Sequence, residues 1–177
     1  MRVISGKLKG IRFSPPKGFP SRPTTDFAKE GLFNFLGNRL NFEDIEVLDL
    51  FAGTGNISFE FASRGTKQVI SVDRNYKCIQ FINSMISKHN LNNMSTTKME
   101  ATSFIKGTNS QFDLVFADPP FDYLEYHNLI KDVFENSILK SDGNLIIEHN
   151  VKTNLSDQIN YVMTKKYGNV VFSLFHK

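Results

Sequence analysis

Residues 45–56 read IEVLDLFAGTGN, a near-continuous apolar run that ends at Phe51 and gives way to two glycines, Gly53 and Gly55. A short apolar run bounded by turn residues is the pattern of a strand buried on both faces. Glycines directly after it allow φ values that other residues avoid. They also let a ligand approach the backbone beside the N-terminus of the next helix. That helix is NISFEFASR (56–64), stopped by Gly65. A strand, a tight turn and a helix thus form the unit from which the rest of the chain is read.

Downstream the same alternation continues. KQVISVD (67–73) is a second strand, followed by the helix NYKCIQFINSMISKHN (75–90). MSTTKME (94–100) gives a third strand and FDLVFAD (112–118) a fourth. LEYHNLIKDVFENS (124–137) has helical period, and GNLIIEH (143–149) is a fifth strand. The end, NYVMTKKYGNVVFSLFHK (160–177), holds two β-rich runs joined through Tyr167-Gly168-Asn169, an antiparallel hairpin. Strands separated by helices require crossover connections and hence a parallel sheet covered on both faces. The expected class is α/β, open and doubly wound, with seven mostly parallel strands and an antiparallel C-terminal hairpin.

Upstream, TTDFAKEGLFNFLGNRL (24–40) reads as a helix with Thr25 or Asp26 as N-cap and an apolar stripe of Phe27, Leu32, Phe35 and Leu36. Before it, SPPKGFPSRP (14–23) carries four prolines and reads as a spacer. RVIS and GIRF flank GKLK, the pattern of a short β-hairpin. The first 25 residues hold Arg2, Lys7, Lys9, Arg12, Lys17 and Arg22 and no acid, whereas the remaining chain has 18 acidic against 15 basic residues. A basic arm on a slightly acidic body is the asymmetry of a polyanion binder. The expected organisation is an arm over 1–20 and a domain over 21–177.

Other readings narrow the class. Hydrophobic residues at 40% and charged residues at 22% describe an ordinary globular protein. No apolar run reaches membrane-spanning length and MRVISGKLKG lacks the core of a signal peptide, so a cytoplasmic protein with no membrane partner is expected. Cys78 stands alone and cannot form an internal disulfide. The histidines 89, 127, 149 and 176 lack metal-ligand spacing, so no metal is expected.

The turn after the first strand is a weak signal alone, and it departs from the dinucleotide fingerprint because Ser58 stands where Gly or Ala is expected. Its weight rises with Asp73, twenty residues after Gly53 at the end of the second strand, where a carboxylate can accept both ribose hydroxyls of an adenosine-containing ligand. Asp73 can equally cap the following helix. Glu100, with Ala101 beside it, can accept from an adenine amine or stand as a solvated loop acid. Asp49 separates two cofactor classes. An acid there favours the positive amino-acid end of S-adenosylmethionine and repels the pyrophosphate of a nicotinamide dinucleotide.

The fourth strand ends in DPPF, Asp118-Pro119-Pro120-Phe121, which a hydride-transfer enzyme does not need. An exocyclic base amine is a poor nucleophile because its lone pair is delocalised into the ring. Asp118 can accept one of its N–H bonds and the Pro119 carbonyl the other, with the carbonyl direction preset by the fixed proline φ. Phe121 then offers a face on which an extruded base stacks. The alternative is a rigid strand exit with Phe121 in the core.

With DLFAGTG, SVDR and DPPF in this order, and with RVISGKLKGIRF leading into RPTTDFAKEGLFNFL, the chain resembles the ribosomal RNA small subunit methyltransferase D family. These are bacterial 16S rRNA guanine-N2 methyltransferases of the class I, Rossmann-like fold. The resemblance implies S-adenosylmethionine as cofactor, with Asp49, Phe51, Gly53 and Gly55 along its methionine end. It places Asp73 on the ribose, Glu100 and Ala101 at the adenine, and Arg22, Thr24, Thr25 and Asp26 beside cofactor and target base. It makes Asp118 to Phe121 the catalytic loop and Arg2, Lys7, Lys9, Arg12 and Arg22 contacts to RNA. The implied partner is 16S rRNA, free or in an assembled small-subunit particle, met by a monomer. Phe27 stands where the family commonly has Arg, and Glu100 where a shorter acid or an amide is common. Rival readings are an adenine-N6 methyltransferase, a nicotinamide-dependent oxidoreductase and an inert RNA-binding module.

Overall fold

The computed structural model describes residues 1–16, 18–19, 24–120 and 122–177. Two expected site residues, Arg22 and Phe121, lie outside the described residues, as does Lys17. Seven strands form one sheet: β1 Glu46–Leu50, β2 Gln68–Asp73, β3 Met94–Lys98, β4 Phe112–Ala117, β5 Leu139–Asn150, β6 Tyr161–Tyr167 and β7 Val170–His176. Their order is β3-β2-β1-β4-β5-β7-β6. The pairings β1–β2, β2–β3, β1–β4 and β4–β5 are parallel, whereas β7 pairs antiparallel with both β5 and β6. The chain runs outward from β1 to β3 and then returns to β4 on the other side of β1. That reversal opens a crevice at the carboxyl ends of β1 and β4, where open α/β sheets bind ligands.

Helices α1 Asp26–Gly37, α2 Asn56–Ser63, α3 Tyr76–His89, α4 Ala101–Gly107 and α5 Tyr126–Glu135 complete the fold. Strand side chains alternate between two buried layers. Val47, Leu114, Phe116 and Ile146 pack with Leu32 and Phe33 of α1, Phe59 and Phe61 of α2, and Ile82 of α3. Leu48, Val115, Leu145 and Ile147 pack with Phe104 and Ile105 of α4 and with Leu129, Ile130 and Val133 of α5. The period of two thus assigns each strand residue a face. Among the described residues no helix is long and apolar enough to cross a membrane.

Three expectations need correction. Phe27 is 68% exposed and meets Tyr167 edge-on at 6.0 Å between ring centroids. The buried row of α1 is Ala28, Leu32, Phe33 and Leu36, with Phe33 in the place expected of Phe35, because the core stripe lies one residue further round the helix. Helix α4 has only seven residues, too few to show a period in the sequence. Strand β5 begins at Leu139 rather than Gly143, and its register with β4 shifts between Phe112 and Leu114.

The expected N-terminal hairpin is reduced to one antiparallel bridge, Arg2 with Arg12, closed by Val3 N–H to Ile11 O at 3.0 Å and Gly10 N–H to Val3 O at 2.9 Å. It does not stand off as an arm, because Val3, Leu8 and Phe13 are buried in the core layer of α1 to α3. The buried Glu60 carboxylate accepts from Ile4 N–H at 2.8 Å and Ser5 N–H at 3.1 Å, and it pairs with Arg64 at 2.9 Å. Lys29, 1% exposed, pairs with Glu60 at 3.4 Å and donates to Arg2 O at 2.6 Å. Burial lowers the Lys29 pKa, with the Glu60 charge opposing. The hairpin is fastened to α1 and α2 by buried polar groups that satisfy one another.

Candidate functional site

A cavity of about 770 Å³ opens at the carboxyl ends of β1, β2, β4 and β5. Its floor is the turn after β1. Phe51, Gly53 and Gly55 there have φ of 63°, 55° and 73°. A side chain at Gly55 would also place its Cβ 2.8 Å from the Phe59 ring, so the glycine is required twice over. Phe51 accepts a left-handed conformation at a cost of about 1–2 kcal/mol, and its ring packs edge-on against Tyr123 at 5.6 Å.

Asp73 governs this turn. Its Oδ2 accepts from Gly53 N–H at 2.8 Å and its Oδ1 from Asn75 N–H at 2.7 Å, while the residue stays half-buried on the cavity wall. The cap of α3 is Asn75, which accepts from Lys77 N–H at 2.9 Å. Asp73 is therefore free of that duty. Glu100 sits on the rim in an exposed 3.5 Å pair with Arg74, and Ala101 starts α4 in the cavity wall. Thr25 caps α1 through Ala28 N–H at 3.2 Å and borders the cavity from the other side.

Asp49 is 2% exposed and accepts a short hydrogen bond from Ser58 Oγ, which in turn accepts from Ser71 Oγ at 2.7 Å. Ser58, the departure from the dinucleotide fingerprint, thus has a duty: it orients a buried carboxylate. Burial pushes the Asp49 carboxyl up to about 7 against the Ser58 hydrogen bonds, and the Asp73 and Glu148 charges add to the rise.

Asp118 and Pro119 follow β4. Among the described residues no hydrogen-bond donor reaches the Asp118 carboxylate or the Pro119 carbonyl, whereas the Pro120 carbonyl is taken by Tyr123 N–H at 2.9 Å. Pro119 is buried and Pro120 exposed. Burial, and then the Glu148 and Asp49 charges, hold the Asp118 carboxyl well above the usual range. Both are therefore unpartnered acceptors among the described residues, on adjacent residues at the strand end.

The sequence reading did not single out Glu148. It lies at the carboxyl end of β5, 9% exposed, and accepts from Thr24 Oγ1 at 2.8 Å. Burial raises it to about 7 against that hydrogen bond. A carboxylate ending the apolar run NLIIEH is the signal that would have found it, because a buried acid needs a reason. Asn56 was also missed. It lines the cavity, donates to Thr24 O at 2.9 Å and accepts from Lys29 Nζ at 2.8 Å. Tyr126, whose hydroxyl is pushed up to about 12 by burial and by Asp118, completes the wall.

Arg2, Lys7, Lys9 and Arg12 do not enter the cavity; all four are exposed on the hairpin. Arg2 reaches Asp26 at 3.3 Å, next to Thr25 on the rim. Among the described residues no group of three or more His, Cys, Asp or Glu is placed to hold a metal ion.

The family model described as Conserved hypothetical protein 95 matches residues 1–176. The chain belongs to that family. YlbH of Bacillus subtilis is 34% identical over 189 residues, spanning 100% of this chain and 99% of its own. The ribosomal RNA small subunit methyltransferase D of Buchnera aphidicola subsp. Baizongia pistaciae is 27% identical over 179 residues, 99% of this chain and 91% of its own. The solved structure of Escherichia coli yhhF matches with a TM-score of 0.87 at 27% identity, covering 100% of this chain and 97% of that one. The sheet of this chain, with β7 inserted antiparallel between β5 and β6, has the methyltransferase fold expected from the sequence.

Proposed function

We propose that this protein methylates the exocyclic N2 amine of a guanine in small-subunit rRNA, with S-adenosylmethionine as methyl donor. The pair of open acceptors, the Asp118 carboxylate and the Pro119 carbonyl, carries this reading. The relative named for small-subunit rRNA methylation supports the substrate.

The cavity fits the donor by its chemistry. A buried carboxylate with no cation beside it among the described residues, Asp49, suits the ammonium of the donor's amino-acid end. Asp73, fixed by two backbone N–H groups yet half-buried on the wall, suits a ribose diol. Glu100 and Ala101 flank the place for the adenine. When bound, S-adenosylmethionine supplies an electrophilic methyl group on a sulfonium. Asp118 and Pro119 accept the two amine N–H bonds and aim the nitrogen lone pair at that methyl. The amine sheds one proton as it gains the methyl, and Asp118, with its raised pKa, takes that proton and passes it to solvent. Phe121, outside the described residues, stacks on the base. Arg2, Lys7, Lys9 and Arg12, with Arg22 outside the described residues, contact phosphates.

The test is methyl transfer from labelled donor to small-subunit rRNA and to intact small subunits, both from cells lacking this activity, followed by nucleoside analysis. The expected product is N2-methylguanosine. N6-methyladenosine would overturn the guanine assignment, and binding of NAD in place of S-adenosylmethionine would overturn the reaction.

A further inference from the structure

Strand register places Glu148 beside the reacting group. Ala117 of β4 pairs with Ile147 of β5, so Asp118 and Glu148 each lie one residue beyond a registered pair. Neighbouring strands are about 4.8 Å apart. Phe116, registered with Asp49 of β1 and Ile146 of β5, lies two residues before Asp118, and Ile146 lies two before Glu148. By the period of two, Asp49, Asp118 and Glu148 rise from the same face of three adjacent strands into one cavity.

Glu148 is more than nine-tenths buried. Its Oε2 is held by Thr24 Oγ1 at 2.8 Å, while Oε1 has no partner among the described residues. Thr24 is held in turn by Asn56 Nδ2 on its carbonyl at 2.9 Å, so one carboxylate oxygen is fixed and the other presented. The catalytic step proposed above uses only Asp118 and Pro119 and leaves this group without a task.

Resting on the guanine-N2 reading, we propose that Glu148 selects the base by accepting the N1–H of guanine while Asp118 and Pro119 hold the adjacent N2 amine. An ionised carboxylate is an acceptor only. Guanine presents N1–H and the N2 amine side by side, a row of donors that meets a row of acceptors. Adenine presents the bare N1 lone pair beside its amine, so the same carboxylate would face an acceptor. Sites built to bond a substrate N–H reject analogues that lack it far better than apolar pockets reject by shape. A donated N–H also favours the ionised form of Glu148, whose carboxyl burial has raised to about 7.

The experiment compares kcat/KM for two RNAs that differ at the mapped target position, one with guanine and one with 2-aminopurine. The analogue keeps the 2-amine but has a bare N1. Wild type should methylate the analogue about 10–100-fold more slowly, the worth of a hydrogen bond to a charged group. Glu148→Gln should lose about 10-fold on guanine and narrow the ratio between the two RNAs, because an amide can donate to a bare N1. Its affinity for S-adenosylmethionine should stay within about twofold. Equal wild-type rates on both RNAs would overturn the proposal without need of any variant, as would an unchanged ratio in a folded Glu148→Gln. Absence of guanine methylation by wild type is a separate outcome, and it refutes the underlying reaction instead.

Discussion

Asp49→Asn should make the protein more stable and a worse enzyme, and the gain in stability should depend on pH. The Asp49 carboxyl titrates at 3.8 when free and at about 7 in the buried site. With a raised folded pKa the charged form is the one disfavoured by folding. The stability tied to the protonated form is complete below 3.8 and is lost as pH rises to about 7. At about 1.36 kcal/mol per pH unit, the loss at pH 8 reaches ~4 kcal/mol, of which ~1.5 is already incurred at pH 5. Asparagine keeps the oxygen that Ser58 Oγ bonds but carries no charge. Urea unfolding of both proteins from pH 5 to 8 should therefore show the Asn variant gaining on wild type by up to ~3 kcal/mol. Because Asp49 also raises Asp118, removing its charge eases that group as well and acts in the same direction. Calorimetry at pH 8 should show S-adenosylmethionine binding weakened by about 1.5–3 kcal/mol. Parallel stability curves for the two proteins across this range would refute the reasoning.

Lys29→Met should cost about 3 kcal/mol, the low end for breaking a buried ion pair, because Arg64 and two amides still hold Glu60; hydrogen exchange at Ile4 and Ser5 should accelerate with it, and unchanged exchange would separate the pair from the hairpin. Asp118→Ala should lower kcat/KM by about 10²–10⁴-fold while binding S-adenosylmethionine normally, with Asp118→Asn between it and wild type; near-normal turnover by the Ala variant would remove Asp118 from the chemistry. Lys7→Gln and Lys9→Gln lie on the exposed face of the hairpin and should each lower the slope of log affinity against log salt by about 1, with no change in melting temperature. Equal slopes for wild type and both variants would place the RNA elsewhere.

What the sequence disclosed follows from what is local. Strands β1, β2 and β4 declare themselves as short apolar runs, and Gly53, Gly55 and Asp73 stand at fixed offsets from them, so the crevice and the acid on its wall were legible. Asp118 and Pro119 stood out because an acid and two prolines at the end of a buried strand are an unusual combination. Glu148 did not, since its meaning depends on β5 lying beside β4, a pairing across some 30 residues of chain. The hairpin misled in another way. Its basic residues were read as an arm, but Val3, Leu8 and Phe13 alternate with those charges and belong to the core, and the bonds to Glu60 and Lys29 on neighbouring helices fasten it there.

These two oversights meet in one connected set of groups. Lys29 holds the hairpin through Arg2 O and holds Asn56 through its side-chain oxygen. Asn56 fixes Thr24 through its carbonyl, and Thr24 fixes Glu148. Four hydrogen bonds thus run from the backbone of the basic hairpin to the Glu148 carboxylate in the cavity, through side chains that are all buried. A buried lysine paired with Glu60, and the acids Asp49, Asp118 and Glu148 gathered in one cavity, are costly to fold, and replacement by apolar residues would cost less. Such an arrangement gains from a ligand whose donors and positive charge satisfy it. A variant that severs the set at Asn56, such as Asn56→Ala, should therefore loosen Thr24 and weaken the proposed base selection while the buried Asp49, held independently by Ser58 and Ser71, keeps its geometry.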